Sequence, residues 1–330
     1  MSSLEKQASS LIALSVAPAT KKKYDRCIKS YIQFCKYANI NPTPISEHIL
    51  ILFATDLAPK VAHSNISCHI AAIKYFAHVN GFYLDLAPFD RLYRLLRGIK
   101  RSQGSKFRKP PRVPITPPLL LSMGRNLWNS SYKFEDKIML WAAMLTAFYG
   151  FLRVSEYTSP RTLVFDPETT LCYQDITLTS PSSFQLHLKA SKTDPFRVGV
   201  TITIHANSSP LCPLRAIRPY LSRRQQKPGP LFMWQDGRYL TRSGLAAVLA
   251  RIKPPGTQNM SSHSFRIGAA STAAAAGHPR WLIQALGRWT SNCFREYIRI
   301  PKTTLAAVSK SLATQTSLAI TPFDPDNIQA

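Results

Sequence analysis

IMLWAAMLTAFYGFL, residues 138–152, runs fifteen positions without a charge, and RVSE, residues 153–156, follows at once. Fifteen residues fall short of the roughly 20 needed to cross a bilayer, so the stretch reads as a buried core helix that delivers a polar tetrad at its end. Helices are expected over 117–130 and 135–150, followed by alternating apolar segments near 171–179, 183–190 and 198–205 that predict a short antiparallel sheet. SKTDP, residues 191–195, supplies turn residues between the second and third strands and places Lys192 on or beside the hairpin. Helical patterns return at 213–224, 241–252, 263–276, 279–286 and 291–299. The expected class is mainly α with a small antiparallel β-sheet.

Ahead of the core helix, GSKFRKPPRVPITPP (104–118) puts five prolines and four basic residues into fifteen positions, which reads as an extended linker over 105–118. Residues 1–104 carry helical stripes, Tyr24, Ile28, Tyr31 and Cys35 on one and Ile66, Ile70, Ile73 and Ala77 on another. They predict a small bundle of four helices over 19–39, 46–58 with Ser46 as N-cap, 63–80 ending at Gly81, and 88–101. On the last of these, Arg91, Arg94, Arg97, Lys100 and Arg101 recur opposite Leu92, Leu95, Leu96 and Ile99. Residues 91–112 hold nine basic side chains and no acid, which favours phosphate contact over a plain solvated face. For Lys21, Lys22 and Lys23 the two alternatives stand level.

The 330 residues carry 42 Lys+Arg against 17 Asp+Glu, a formal charge of +25, and 45% hydrophobic residues exclude disorder for the whole chain. The excess is shared, +12 over residues 1–112 (18 basic, 6 acidic) and +13 over the rest (24 basic, 11 acidic), so no single tail accounts for it. A polyanion is the expected partner, nucleic acid first and a membrane surface second, and no lipidation motif supports the latter. The N-terminus lacks the apolar stretch of a signal peptide. Cysteines at 27, 35, 68, 172, 212 and 293 form no CxxC pair, so neither a disulfide framework nor a zinc site is expected and the compartment reads as reducing, not secreted. No P-loop, HExxH or acidic metal triad occurs, so no cofactor or metal is expected.

Five features then occur in one order: Arg153 and Glu156 in RVSE, Lys192 at the hairpin, His263 and Arg266 in SHSFR, Trp289 in LGRW, and Tyr297 eight residues later. This ordered set, spanning 145–300, resembles the tyrosine recombinase (phage integrase) family, whose pattern is RxxE, a hairpin Lys, HxxR, a His or Trp after LG, and a nucleophilic Tyr. CPLRAIRPYL (212–221) and LGRW are similar to the recombinases of eukaryotic DIRS-like retrotransposons and Crypton elements. The resemblance implies a helical core-binding (SAM-like) domain over 1–104 and a catalytic recombinase domain over 119–315. It also implies an enzyme that cuts and rejoins DNA through a 3′-phosphotyrosyl intermediate and a Holliday junction, for integration or excision of a mobile element.

Within that resemblance Tyr297 is the nucleophile, since a phenolate can hold the phosphate covalently while strands exchange. Arg153 and Arg266 meet the charge on the nonbridging oxygens with forked guanidinium groups. Glu156 supports the site, against the plainer reading of an Arg153–Glu156 ion pair at three-residue spacing. His263 gives acid/base help, and Lys192 protonates the leaving 5′ oxygen, with Lys189 as its rival. Trp289 donates its indole N–H to phosphate or serves as a core tryptophan.

Beyond Tyr297 the apolar stripe Leu305, Val308 and Leu312 has no obvious partner in its own domain, and the resemblance implies a C-terminal helix exchanged in trans within a homo-oligomer of two to four copies on DNA. Residues 316–330, polar with Pro322 and Pro325, are expected to be disordered. The expected location is nuclear in a eukaryote and cytoplasmic otherwise. Two other readings remain open: a catalytically inactive mobile-element descendant that only binds DNA, and a type IB topoisomerase-like enzyme that relaxes it.

Overall fold

The computed structural model describes residues 3–191, 194, 196–224, 228–300, 305, 306 and 310. Lys192 lies outside the described residues, as do Val308, Leu312 and 316–330, so the expectations placed on the hairpin lysine, the exchanged helix and the tail fall outside them too. The chain divides into two compact units between Pro110 and Pro111, inside the proline-rich segment.

The first unit is helical: α1 (Ser3–Ala13), α2 (Pro18–Tyr37), α3 (Glu47–Leu57), α4 (His63–Val79) and α5 (Asp90–Gln103). The four expected helices are present within a few residues, and Ser46 caps α3 by accepting from the Ile49 N–H at 3.3 Å. The sequence stripes form the core, with Tyr31 edge-on to Phe53 at 5.4 Å between ring centroids and Cys35, Leu50, Ile66 and Ile73 fully buried. Helix α1 was not expected; none of its side chains is buried, and Leu4, Leu11 and Ile12 are exposed.

Helix α5 is tied in at both ends. The Leu92 N–H donates to Glu47 Oε1 at 2.9 Å, while the Gln103 side chain donates to the Ala58 and Val61 carbonyls at 2.8 and 2.9 Å and accepts from the His63 N–H at 2.8 Å. Leu92 and Ile99 are buried, which leaves Arg91, Arg94, Arg97, Lys100 and Arg101 all exposed, as are Lys21, Lys22 and Lys23 on α2. Arg94 does have an acidic neighbour, Asp90 at 2.6 Å, one residue before the acid-free run.

The second unit forms around α7 (Phe134–Tyr149), whose residues from Ile138 to Phe148 are all buried except the half-buried Trp141, and each large buried apolar side chain contributes about 1.5–3 kcal/mol by leaving water. Helices α6 (Pro117–Trp128), α9 (Pro213–Arg223), α10 (Arg242–Ile252), α11 (Ser264–Ala275) and α12 (Arg280–Gly287) lie in the same unit. A sheet β1 (Ile176–Ser180), β2 (Ser183–Leu188), β3 (Val200–His205) runs antiparallel in that order, with Phe184, Leu186 and Ile204 turned inward. No helix among the described residues is long and apolar enough to cross a membrane.

Three expectations need correction, and one element was not foreseen. Residues 111–118 are not free linker: Ile115 is fully buried in this unit, its N–H donates to the Ser264 carbonyl at 3.0 Å, and α6 begins at Pro117. The approach is so close that a Cβ on Gly268 would meet the Ile115 carbonyl oxygen, so α11 requires glycine there. The first strand begins at 176, because 173–175 form a 3-10 turn and Leu171 instead exchanges backbone hydrogen bonds with Glu156 and Leu231. The expected helix over 291–299 is a 3-10 segment, Asn292–Tyr297, capped by Ser291. A one-turn helix, α8 (Val154–Tyr157), also follows the core helix; at four residues it is too short to show a period.

Candidate active site

Helix α7 ends at Gly150, Phe151 turns with a left-handed φ of 48°, and the chain re-enters a helix at Arg153, the N-cap of α8. Glu156 folds back to accept from the Arg153 N–H at 2.8 Å and from Arg153 Nη1 at 3.0 Å. The ion pair expected at three-residue spacing in RVSE is therefore present. Glu156 is only 3% exposed and takes a further bond from Arg288 Nη2 at 2.9 Å, so this buried carboxylate is held by three donors.

His263 immediately precedes α11 and Arg266 lies in its first turn. The Arg266 side chain is fully buried; Nη1 donates to the Phe151 carbonyl and Nη2 to the Gly287 carbonyl, and its Cζ stacks 4.2 Å from the Trp289 ring centroid. Helix α12 delivers that tryptophan: it ends at Gly287, Arg288 takes the left-handed conformation (φ 54°, ψ 46°), and the Trp289 ring packs where a Gly287 Cβ would stand. Phe294 buries the 3-10 segment, and Ser271 Oγ holds its end by donating to the Tyr297 carbonyl at 3.2 Å while accepting from the Arg299 N–H at 2.9 Å. Tyr297 is thereby set 4.9 Å from Trp289 and 5.1 Å from His263, ring centre to ring centre, with Arg266 Cζ 5.8 Å from its own ring centre.

Contacts therefore link Arg153, Glu156, Arg266, Trp289, Tyr297 and His263 in one continuous cluster. Trp289 is buried in the core, and its indole N–H has no hydrogen-bond partner among the described residues. Lys189 is engaged elsewhere, with Nζ 2.6 Å from Asp175 Oδ2. Three arginines escaped the sequence reading. Arg288 sits inside the LGRW box, where only its neighbours carried the motif, and Arg112 and Arg242 lie far away in sequence yet act electrostatically on His263. Among the described residues no group of three His, Cys, Asp or Glu side chains could hold a metal ion.

The electrostatics suit an anion. Burial drives the His263 pKa down to about 4, helped by Arg112, Arg266, Arg153 and Arg242, so the imidazole is neutral at pH 7. Burial likewise pushes the Arg266 guanidinium down to about 9, with Arg153 and Arg288 adding to the fall and Glu156 opposing it. Between pH 6.5 and 4 the unfolded chain binds a proton at His263 that the folded chain refuses, so folding stability falls as pH drops through that window. Allowing for water at its exposed edge, the loss should be about 1 kcal/mol. Urea unfolding at pH 7 and 4.5 checks this: His263→Asn should lose less stability on acidification than the unchanged chain, and equal losses would remove His263 as the cause.

No family model matches the sequence. In sequence the chain is 26% identical over 274 residues, 77% of this chain and 75% of the other, to an integrase/recombinase XerD homologue of Selenomonas ruminantium. In structure it is similar to the XerH site-specific recombinase bound to its palindromic difH substrate in a post-cleavage complex (TM-score 0.60, 13% identity, 88% of this chain and 79% of that one). It is also similar to the Tn1549 transposon integrase in complex with circular intermediate DNA (0.54, 15%, 90% and 94%) and to a lambda integrase dimer bound to a COC′ core site (0.56, 11%, 89% and 75%). The fold is the two-domain tyrosine recombinase fold, mainly helical with a three-stranded antiparallel sheet. The sequence relative and these structural neighbours are all recombinases or integrases, and what this chain shares with the solved structures is their fold.

Proposed function

We propose that this protein is a site-specific DNA recombinase that cuts and rejoins duplex DNA through a 3′-phosphotyrosyl intermediate and a Holliday junction. The observation that carries the proposal is Tyr297 lying against a neutral His263, in the cluster that holds Arg266 and Trp289. Tyr297 Oη attacks the scissile phosphorus and gives its proton to His263; the Oη–P bond forms as the P–O5′ bond breaks. Arg153 and Arg266 stabilise the nonbridging oxygens, and the indole N–H of Trp289 adds a donor. Lys192 protonates the departing 5′ oxygen, and the 5′ hydroxyl of the partner strand reverses the step. The exposed basic face of α5 grips phosphates in the first unit.

The finer expectations belong to the same proposal. CPLRAIRPYL and LGRW support an origin in a DIRS-like or Crypton-type mobile element, and assembly as a homo-oligomer on DNA follows from strand exchange needing paired sites. By the same reading the protein works in a reducing compartment, the nucleus of a eukaryote or otherwise the cytoplasm, since its six cysteines form no CxxC pair. One observation favours a second reading, a protein that binds DNA without cutting it: Arg266 is sealed from solvent, so in this conformation no phosphate reaches it.

The test is covalent trapping on a pool of nicked duplexes whose small cleaved fragment diffuses away, without ATP or divalent metal. An adduct that survives denaturation, with the nucleotide mapped by mass spectrometry to the peptide holding Tyr297, is the expected result. Tight DNA binding with no adduct would favour the second reading, and relaxation of supercoils without strand exchange would turn the assignment to a topoisomerase.

A further inference from the structure

Arg288 gathers three parts of the catalytic unit with one guanidinium. Nη2 lies 2.9 Å from Glu156 Oε2 and 3.2 Å from the Phe151 carbonyl, and Nη1 lies 3.0 Å from the Gly150 carbonyl. It thereby joins the end of α7 and the start of α8 to the end of α12, across more than 130 residues of sequence. The Phe151 carbonyl also accepts from Arg266, so the two guanidinium groups converge on one acceptor. The Arg288 side chain is only 11% exposed. Its backbone is left-handed, a conformation that costs a non-glycine residue roughly 1 kcal/mol and persists only where the surroundings over-determine it.

The charges give the arrangement its consequence. Glu156, buried beside Arg153, would by itself cancel most of the charge that Arg153 presents to a phosphate. Arg288 holds the same carboxylate by its Oε2 atom and offsets it, so Arg153 keeps its positive charge for an incoming anion.

Resting on the recombinase reading above, we infer that Arg288 is a positioning residue: it fixes Glu156 and the Gly150–Phe151 carbonyls, and through them the spacing and effective charge of Arg153 and Arg266, without itself contacting DNA. Loss of such supporting contacts typically costs 10–100-fold in activity. A direct phosphate ligand would instead weaken DNA binding and make its salt dependence shallower by about one unit of slope.

The experiment compares the full chain with Arg288→Met, Glu156→Gln and the double variant, measuring the rate of adduct formation at saturating protein, Kd and its salt slope on an uncut duplex, and the thermal midpoint. Arg288→Met is expected to slow the adduct 10–100-fold while Kd stays within about twofold and the salt slope holds. Adding Glu156→Gln should then restore the rate by about threefold or more, because the unopposed carboxylate is gone; a purely structural role gives no such rescue. An unchanged rate in Arg288→Met overturns the inference, and so does a weakened Kd with a shallower slope or a double variant slower than either single one. If the unchanged chain forms no adduct at all, the recombinase reading falls first and this inference with it, a result distinct from the other three.

Discussion

Tyr297→Phe will bind duplex DNA with the affinity and salt dependence of the unchanged protein and form no covalent adduct. The ring contacts to His263 at 5.1 Å and Trp289 at 4.9 Å depend on the ring and survive in phenylalanine. The Ser271 clamp grips the backbone of residue 297 and survives as well. Only the phenolic oxygen is lost, so the thermal midpoint should barely move, as for a substitution away from core packing. Removing a covalent nucleophile lowers the chemical step by roughly 10³-fold or more. Adduct formation, quantified on a denaturing gel beside a binding isotherm, checks both halves. An adduct persisting near the unchanged level would relocate the nucleophile and remove Tyr297 from the mechanism.

The parts of this fold that could be read from sequence are those whose burial follows a local period. The stripes on α2 and α4, the Ser46 cap and the apolar run of α7 depend on neighbours three and four residues away, and all appear as expected. The departures depend on distant partners or on too few residues. The one-turn α8 has no period to read, and Leu171 and Cys172 are buried where they bridge to the loop at Pro230–Leu231, not because they extend β1. Likewise the 3-10 turn before Tyr297 is set by the Ser291 cap, the buried Phe294 and the Ser271 clamp, two of which the helical pattern could not distinguish from an ordinary helix.

The candidate site divides the same way. The resemblance carried by RVSE, SHSFR and LGRW, with a tyrosine eight residues further on, singled out Arg153, Glu156, His263, Arg266, Trp289 and Tyr297 as candidates. Nothing in the order reveals that Glu156 is shared with Arg288, or that Arg266 reaches the Phe151 carbonyl, since those facts arise only when segments more than a hundred residues apart meet.

Arg266→Lys should slow adduct formation by about 10²–10³-fold, the 2.7–4 kcal/mol typical of losing one preorganised donor at a developing oxyanion. One ammonium cannot reproduce a planar fork that spans the Phe151 and Gly287 carbonyls while stacking on Trp289 at 4.2 Å. A buried carbonyl left without its donor costs about 1–3 kcal/mol, so the thermal midpoint should fall as well. Rates must therefore be compared at a temperature where both proteins are folded. Burial pushes the Arg266 pKa down to about 9, which marks a cation held at a cost in the free protein. A phosphate brought beside it relieves that cost, so DNA should raise the melting temperature of the unchanged chain more than that of Arg266→Lys. Because Tyr297 and Trp289 lie against the fully buried Arg266, the relief requires the groups that cover it to move as the phosphate enters. Equal cleavage rates and equal stabilisation by DNA in the two proteins would leave Arg266 a structural residue, and would return the catalytic charge to Arg153 alone.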